Sequence, residues 1–576
     1  MIAAVAKAKT LPRNADVAEQ LELLSDLLEI EGQPAFRVLA YRRAATRIRE
    51  LGTPVAQLAL EGKAKELQGI GATIQDKIVQ IVNTGEIEAL TKRRSTIPPE
   101  VVEFLNIPGL GPKTVRRIWQ ELGVTTLVEL KEAARSQRLR TLPGLGSKLE
   151  ENVLRSVGRK KKATGPQRTL LGRALPALLA VVDVLREHPA AERVSEAGSA
   201  RRRRETVRDL DIIATASDPA ALTDYFTSLA WVSEVVAKGP TKATVISHEG
   251  FRFDLRVVPP ECYGNLLQHF TGSKAHNVAL REDAVRRGLS VSEYGVTEVE
   301  SGEVFTTQRE EELYERLGYQ FIPPELRENA GELEAARKGE LPTLIEASQL
   351  RGDLHTHTHW SADGKNTLTE MVEAAKARGY AYYGITDHSH YLREGRLDAQ
   401  AKEIEKVAKR AAPLRLLKGV EVNIKADGTL DLPDEVLAER DWVVASIHTA
   451  FDRDPTERIL STMENPHVDC IGHLTGRKLN RREPMEIDIE RVVVKAIETD
   501  TFLEINSQPD RLDLRDVHVR VAAEAGARVV VNSDAHQVKA LDYVAFGVAQ
   551  ARRAWLTADQ VMNTRTWAQL KKLMKG

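Results

Sequence analysis

GSARRRRETVRDLDIIATA, residues Gly198 to Ala216, decides the reading of this chain. Two carboxylates, Asp209 and Asp211, are separated by one residue where the segment enters an apolar, β-branched run. Residues i and i+2 of a strand share a face, so both acids reach one locus, which suits two divalent cations about 3.5 to 4 Å apart. Asp254, in the alternating tract FRFDLRVV, offers a third acid on a strand able to lie beside the first. With the Gly198–Ser199 turn and the arginines after it, these acids read as a site for transferring a nucleotidyl group.

The bulk properties bound what surrounds that site. At 576 residues the chain exceeds one ordinary domain, and length alone suggests about three to five. A hydrophobic share of 42% and a charged share of 29% match a globular protein. No apolar run approaches the roughly 20 residues of a membrane span, and the first residues hold too short an apolar stretch for a signal peptide; the expected location is cytoplasmic. Cys262 and Cys470 are the only two cysteines and lie far apart, so any metal must use His, Asp and Glu. Residues 1–170 carry 28 Lys+Arg against 19 Asp+Glu, a net +9, whereas the rest of the chain nets −10. A basic front suits a polyanion. Ten of the 14 histidines lie beyond residue 350, which is where a histidine metal site is sought.

From Asn14 to about Thr96 the pattern is helical, with Val17, Leu21, Leu24, Leu27 and Leu28 spaced by three and four. Three similar units follow: LQGIGATIQDKI (Leu67 to Ile78), IPGLGPKTVRRI (Ile107 to Ile118) and LPGLGSKLEENV (Leu142 to Val153). Each places Gly-hydrophobic-Gly ahead of an amphipathic helix, at Gly69 and Gly71, Gly109 and Gly111, Gly144 and Gly146. Such glycines permit a tight turn, and the helix that follows presents amides to an anion. GRKKKATGPQR (Gly158 to Arg168) reads as a first linker, and the acid-rich stretch Pro324 to Gly352 as a second. After it, runs such as YYGITDHS, RLLKGVEVN, DWVVASIHTA, TFLEINS and ARVVVNSDAH alternate with amphipathic helices, the rhythm of a parallel α/β barrel or sheet.

The Gly-Ser pair, the arginines, the DLD and FTGSKAHN (Phe270 to Asn277) resemble family X DNA polymerases over about residues 14 to 330. The resemblance implies that Gly198, Ser199 and Arg202 hold a triphosphate and that Asp209, Asp211 and Asp254 are the catalytic metal ligands. Asp254 would serve the metal nearest the primer end. Phe270 and Gly272 would lie beside the incoming sugar and base, with Asn277 and Arg281 on the base edges. His269 stands where many relatives carry tyrosine, and Arg208 where they carry a small residue; both departures bear on ribonucleotide discrimination. The glycine units are similar to helix-hairpin-helix motifs, which hold DNA by its backbone. Lys77 falls at the position of the family's Schiff-base lyase nucleophile, with a phosphate contact as the alternative role.

DLHTHTHWSADG (Asp353 to Gly364) opens a second series of chemical residues. His355, His357, Asp363, His388, Glu421, His448, His473, Asp534 and His536 end successive strand-like runs, where barrels place their chemistry. The series resembles the PHP domain, named for polymerases and histidinol phosphatases, over about residues 350 to 570. All nine would be ligands of a three-metal hydrolytic centre, although SADG carries one residue more than the usual spacing before Asp363. His359 and His390 read as rim residues and Arg477 as a phosphate contact.

The order of parts resembles bacterial family X polymerases with a C-terminal PHP domain. The implied fold is multidomain α+β and α/β: a helical DNA-binding, lyase-like part (1–90), a helix-hairpin-helix fingers-like part (91–160), a nucleotidyltransferase palm (168–260) and a thumb-like part (261–325). A linker (326–350) and a (βα)7-type PHP barrel (351–576) complete it. The implied function is short-gap repair synthesis with 3′ to 5′ exonuclease activity, and abasic-site processing as an extension. Mg2+ or Mn2+ would serve the first site and Mn2+, Zn2+ or Fe the second, with deoxynucleoside triphosphates and gapped or 3′-recessed DNA as substrates of a monomer. The alternatives are a phosphoesterase for small phosphomonoesters and a non-catalytic DNA end-binding scaffold; the first leaves the three glycine units without a purpose, and the intact acids and ligand series count against the second.

Overall fold

The computed structural model describes residues 11–12, 14–51, 55–67, 69–94, 96–107, 109–156, 168–393 and 395–575. The basic linker reading falls almost wholly outside them, at residues 158–167. The chain forms two compact units, Met1–Gln167 and Arg168–Gly576. Among the described residues no helix is long and apolar enough to cross a membrane.

The first unit is helical. Helix Asn14–Glu31 buries Val17, Leu21, Leu24, Leu27 and Leu28 on the stripe that their spacing marks out. Helix Ala35–Glu50 packs on it, and Arg42 on its polar face reaches Asp26 at 2.8 Å and Glu29 at 2.6 Å. The three glycine units share one backbone solution. Gly69, Gly109 and Gly144 have φ of +85°, +91° and +81°, a region that costs a side chain and favours glycine. Gly71 and Gly111 then cap helices Ala72–Thr84 and Pro112–Leu122 in extended conformation. Among the described residues, and apart from the adjoining residues of the chain, no atom lies within 4 Å of where a side chain would begin at Gly69, Gly71, Gly111, Gly144 and Gly146. The turns are therefore open on the side where a backbone can approach.

The second unit begins with a five-stranded sheet in the order 191–196, 209–216, 252–257, 242–247, 232–238. Strand Asp209–Ala216 runs parallel to Arg252–Val257, with Asp211 directly opposite Asp254. A smaller three-stranded sheet, Leu289–Ser292, Gly295–Glu298 and Val304–Phe305, packs with helices Lys274–Arg286 and Glu310–Arg316. The acid-rich stretch after it is packed rather than loose. Leu326, Ala336 and Leu344 join the core of the smaller sheet, while Ile345 and Leu350 join the next core.

Seven parallel strands then follow in sequence order: 352–353, 382–385, 415–423, 442–446, 470–471, 502–506 and 529–532. A parallel bridge from Thr356 to Ala535, with the His357 amide donating to the Ala535 carbonyl at 2.8 Å, ties the first element to the last. The ring is nearly closed, as the alternating runs led one to expect. Tyr382, Leu417, Trp442, Phe502 and Val530 pack as an apolar core at one end, so the polar strand ends gather at the other.

Candidate active sites

In the five-stranded sheet, strand register does the positioning. Parallel pairing sets Asp211 beside Asp254, and the i,i+2 spacing sets Asp209 on the same face. Arg208 donates to Asp209 at 2.8 Å, and Arg252 donates to Asp254 at 2.9 Å while approaching Asp209 at 3.7 Å. The Thr244 hydroxyl also donates to Asp254. Burial opposes ionisation of Asp254, but these donors hold its carboxyl below the usual range. Asp211 lacks such donors: burial, reinforced by the charges of Asp254 and Asp209, pushes its pKa up to about 7. Asp254 and Asp211 thus differ in readiness to lose a proton.

Gly198 follows from the same geometry. Its φ is +63°, and a β-carbon there would come within 2.1 Å of the Asp211 carboxylate. Only glycine lets the turn pass so close. Arg202 donates through Nε to Glu328 at 3.0 Å and through Nη1 to the Thr271 carbonyl, and it lies against Gly272. Arg201 donates to the Thr271 hydroxyl at 2.7 Å. The arginine loop and the FTGS tract therefore meet. Asn277 donates to the His269 carbonyl at 2.7 Å, Arg281 donates to His269 Nδ1 at 2.9 Å, and the Arg256 guanidinium covers the Phe270 ring at 4.6 Å. Burial lowers the pKa of the His269 ring, with Arg281 and Arg256 adding to the effect against Glu293.

In the helical unit Lys77 lines a cleft of about 580 Å3 with Gly69, Gly71, Thr73, Tyr41, Arg37 and Arg93. Burial lowers the pKa of its ammonium, and Arg93 lowers it further. The lysine lies beside the first glycine turn.

The barrel mouth collects the histidine series around one buried carboxylate. Glu421 approaches His388 at 2.7 Å, His473 at 3.2 Å, His355 at 3.4 Å, and His357 and His448 at 3.6 Å. Asp534 lies 3.2 Å from His357. Asp363 lies 3.4 Å from His388 and 3.3 Å from His536, so the longer SADG turn still delivers its carboxylate. Three subsets, His357/His388/His536, His355/His357/Glu421 and His388/Glu421/His448, bring their donor atoms within 4.8 Å of one another. Among the described residues, His355 Nε2, both ring nitrogens of His357, His388 Nδ1, His473 Nδ1 and Glu421 Oε2 are buried without a well-aligned hydrogen bond. Buried polar atoms are rarely left so. Imidazole nitrogens with shared carboxylates are a donor set suited to transition-metal cations, and the residues fit such a centre.

Charge follows the same arrangement. Burial opposes ionisation of Glu421, yet His388, His355 and His448 hold its carboxyl well below the usual range. Burial alone would discharge His388, but Glu421 and Asp363 raise it to about 10. His448 is pushed down to about 3, chiefly by burial, and His357 well below its ordinary value by burial and by His536 and His388. Neutral imidazole is the form that ligates a metal. Two of the nine residues, Asp534 with φ +52° and His473 with φ +27°, sit in the left-handed region, where a non-glycine residue is held by its surroundings.

Several contributors had no sequence motif to announce them. Glu504 accepts from His355 at 2.7 Å and from the His473 amide at 2.7 Å, fixing the His355 ring and the His473 backbone from inside the barrel. Its one signal is an acid inside the apolar run Phe502–Asn506. Asn423 orients His448 at 2.6 Å. Arg173, Lys365, Lys478 and Arg511 line a cleft of about 560 Å3 that opens onto Asp363, His388, His448 and His536. His359 is largely exposed and its ring lies 3.9 Å from Glu403, as a rim residue would. The reading of Arg477 as a phosphate contact is corrected: its guanidinium is buried and bound to Glu205 at 2.5 and 3.2 Å, an acid distant in sequence that the motif could not reveal.

Residues 12–87 match the helix-hairpin-helix domain family, 101–158 the SAM-like helix-hairpin-helix tandem, 266–328 the DNA polymerase beta thumb and 353–508 the PHP domain. The DNA polymerase/3'-5' exonuclease PolX of Bacillus subtilis (strain 168) is 38% identical over 571 residues, covering 97% of this chain and 99% of that protein. A probable phosphatase of Thermoanaerobacter sp. (strain X514) is 34% identical over 232 residues, covering 37% of this chain and 89% of that protein. A probable phosphatase of Vibrio campbellii is 29% identical over 202 residues, covering 33% and 78%. Full-length similarity to the first and partial similarity to the others show that this chain belongs to the bacterial PolX family.

Proposed function

We propose that this protein extends primer 3′ ends at the Asp209, Asp211 and Asp254 site and trims 3′ ends at the Glu421 centre, on gapped or 3′-recessed DNA. The observation that carries the division is spatial: oxygen ligands alone gather on one sheet, while histidines and carboxylates gather in a separate barrel mouth. Oxygen ligands suit Mg2+ or Mn2+; the imidazole-rich set suits Mn2+, Zn2+ or Fe.

At the first site, bound cations would supply charge to the primer hydroxyl and the departing pyrophosphate. The remaining roles belong to the chain. Asp254, kept ionised by Arg252 and Thr244, is placed to accept the primer hydroxyl proton. Arg208 and Arg252 offset the repulsion of three neighbouring carboxylates. Gly198 and Ser199 bring backbone against Asp211, and Arg202 orients the triphosphate beside Gly272. Asn277, Arg281 and Phe270 form the surface for the paired base and sugar.

At the second site, bound cations would supply the Lewis acidity for phosphodiester hydrolysis. Glu504 and Asn423 lock the His355 and His448 rings toward the centre. Arg173, Lys365, Lys478 and Arg511 are placed to hold the strand by its phosphates. The similarity to phosphatases over the barrel alone fits a shared hydrolytic centre to which this chain adds DNA-holding parts.

The glycine turns at Gly69/Gly71, Gly109/Gly111 and Gly144/Gly146 hold the DNA backbone in this reading. A specific observation favours a further role for Lys77: its lowered ammonium pKa and its cleft with Tyr41 and Arg93 suit Schiff-base attack on an abasic sugar.

Three outcomes follow from these roles. Asp211→Ala should abolish primer extension while leaving 3′ trimming within about twofold, and Glu421→Gln should do the reverse with a loss of about 100-fold or more; gel assays on one gapped substrate read both, and equal loss in either variant contradicts the division. Because Asp211, with its pKa raised to about 7, must shed a proton to bind a cation, the Mg2+ concentration for half-maximal extension should fall about fivefold from pH 6 to 7 and less than about twofold from pH 7 to 8. A half-saturation unchanged between pH 6 and 8 would count against the raised carboxyl. Borohydride should trap a covalent adduct between the protein and 5′-deoxyribose-phosphate DNA that disappears in Lys77→Ala; an undiminished adduct would assign the amine elsewhere.

A further inference from the structure

The row Arg201 to Glu205 looks in sequence like a phosphate-binding patch, but the fold commits it to partners. Arg203 has φ +56°, an uncommon conformation for a side-chain-bearing residue, so the loop's path is imposed from outside. Part of that imposition comes from the barrel. Arg553, the last residue of helix Val544–Arg553, is buried, with 2% of its side chain exposed. Its Nη1 donates to the Arg202 carbonyl at 2.9 Å and to Glu328 at 3.1 Å, and its Nη2 donates to Asp516 at 2.6 Å. Glu328 in turn accepts from Arg202 Nε at 3.0 Å. One barrel guanidinium thus holds both the backbone of Arg202 and the carboxylate that aims its side chain.

A second tie runs in parallel. Glu205, which closes the same loop, accepts from Arg477 at 2.5 Å and from Gln550 at 2.8 Å, both barrel residues. A buried guanidinium between two carboxylates is geometrically demanding, because its planar fork fixes each donor's direction. A buried ion pair adds little net stability compared with apolar packing, so stability alone does not explain why six charged groups converge here.

We propose that Arg553 is a positioning residue for nucleotidyl transfer: the barrel fixes the loop Gly198–Arg204 and the direction of Arg202 through the Arg202 carbonyl and Glu328. The inference rests on the reading that Gly198, Ser199 and Arg202 hold the triphosphate. Trimming and synthesis then use separate centres, yet synthesis depends on the barrel as a brace.

Steady-state extension of gapped DNA by the full-length protein tests this with four variants. Arg553→Met and Glu328→Gln break the tie from its two sides. Both should raise KM for the incoming nucleotide about ten- to a hundredfold, the scale expected when a binding group is displaced, with kcat and 3′ trimming within about twofold. Equilibrium binding of dNTP to the protein–gapped-DNA complex should weaken by the same factor. Arg552→Met removes the neighbouring guanidinium, which pairs with Glu325 and Glu346, and should lower the melting temperature without raising KM. A KM in Arg553→Met no higher than in Arg552→Met, or parallel loss of extension and trimming, overturns the proposal. If Arg553→Met does not fold, Glu328→Gln decides on the same criteria. Arg202→Ala separates the two readings: unchanged KM there refutes the triphosphate loop itself, whereas raised KM there with unchanged KM in Glu328→Gln refutes only the brace.

Discussion

Burial of the Glu421 carboxylate is the constraint on which the barrel's arrangement depends. An ionised carboxylate taken from water costs several kcal/mol even after the protein relaxes, and Glu421 is about 1% exposed. Five imidazoles answer that charge from four strand ends, His355 and His357 sharing one, and the parallel order of the strands is what brings those ends to one mouth. Burial first, and repulsion from neighbouring rings second, drive His357 and His448 neutral, while Glu421 and Asp363 keep His388 charged. Bound cations would satisfy the whole set at once, since they would meet the carboxylate's charge and the unused ring nitrogens together.

The five-stranded sheet solves a smaller version of the same problem by another route. Three carboxylates on one face repel, and two arginines from adjoining positions, Arg208 and Arg252, offset the two more exposed acids. The most buried acid, Asp211, is left to hold a proton near neutral pH. One site is therefore charge-balanced by neighbouring side chains and titratable, the other by a dense ring of ligands. The two chemistries coexist in one chain because each carries its own electrostatic compensation.

Much of this was legible in the sequence where a spacing carries a geometry. The i,i+2 acids of DLD and histidines of HTH need only the strand period to share a face, and the repeated Gly-x-Gly needs only the positive φ of a tight turn. Asp254 required strand pairing as well, and FRFDLRVV was regular enough to suggest it. What stayed hidden depends on folding partners far apart along the chain. Arg477, in GHLTGR (Gly472 to Arg477), reads as a phosphate contact beside the histidine series, whereas its partner Glu205 lies 272 positions away. Glu504, Asn423 and Arg553 act through neighbours that no local pattern links to them, and the arginine row showed its charge but not its carboxylate partners Glu310 and Glu328.

In this reading the barrel residues form a cation centre organised by Glu421. Anomalous diffraction at the manganese edge from crystals of the full-length protein grown with Mn2+ addresses it most directly. The account predicts three peaks within about 2.0 to 2.4 Å of ligand atoms drawn from the nine residues, at least one of them touching Glu421. Ordered density for the barrel with no peak at Glu421, or with peaks held by residues outside this set, would contradict it.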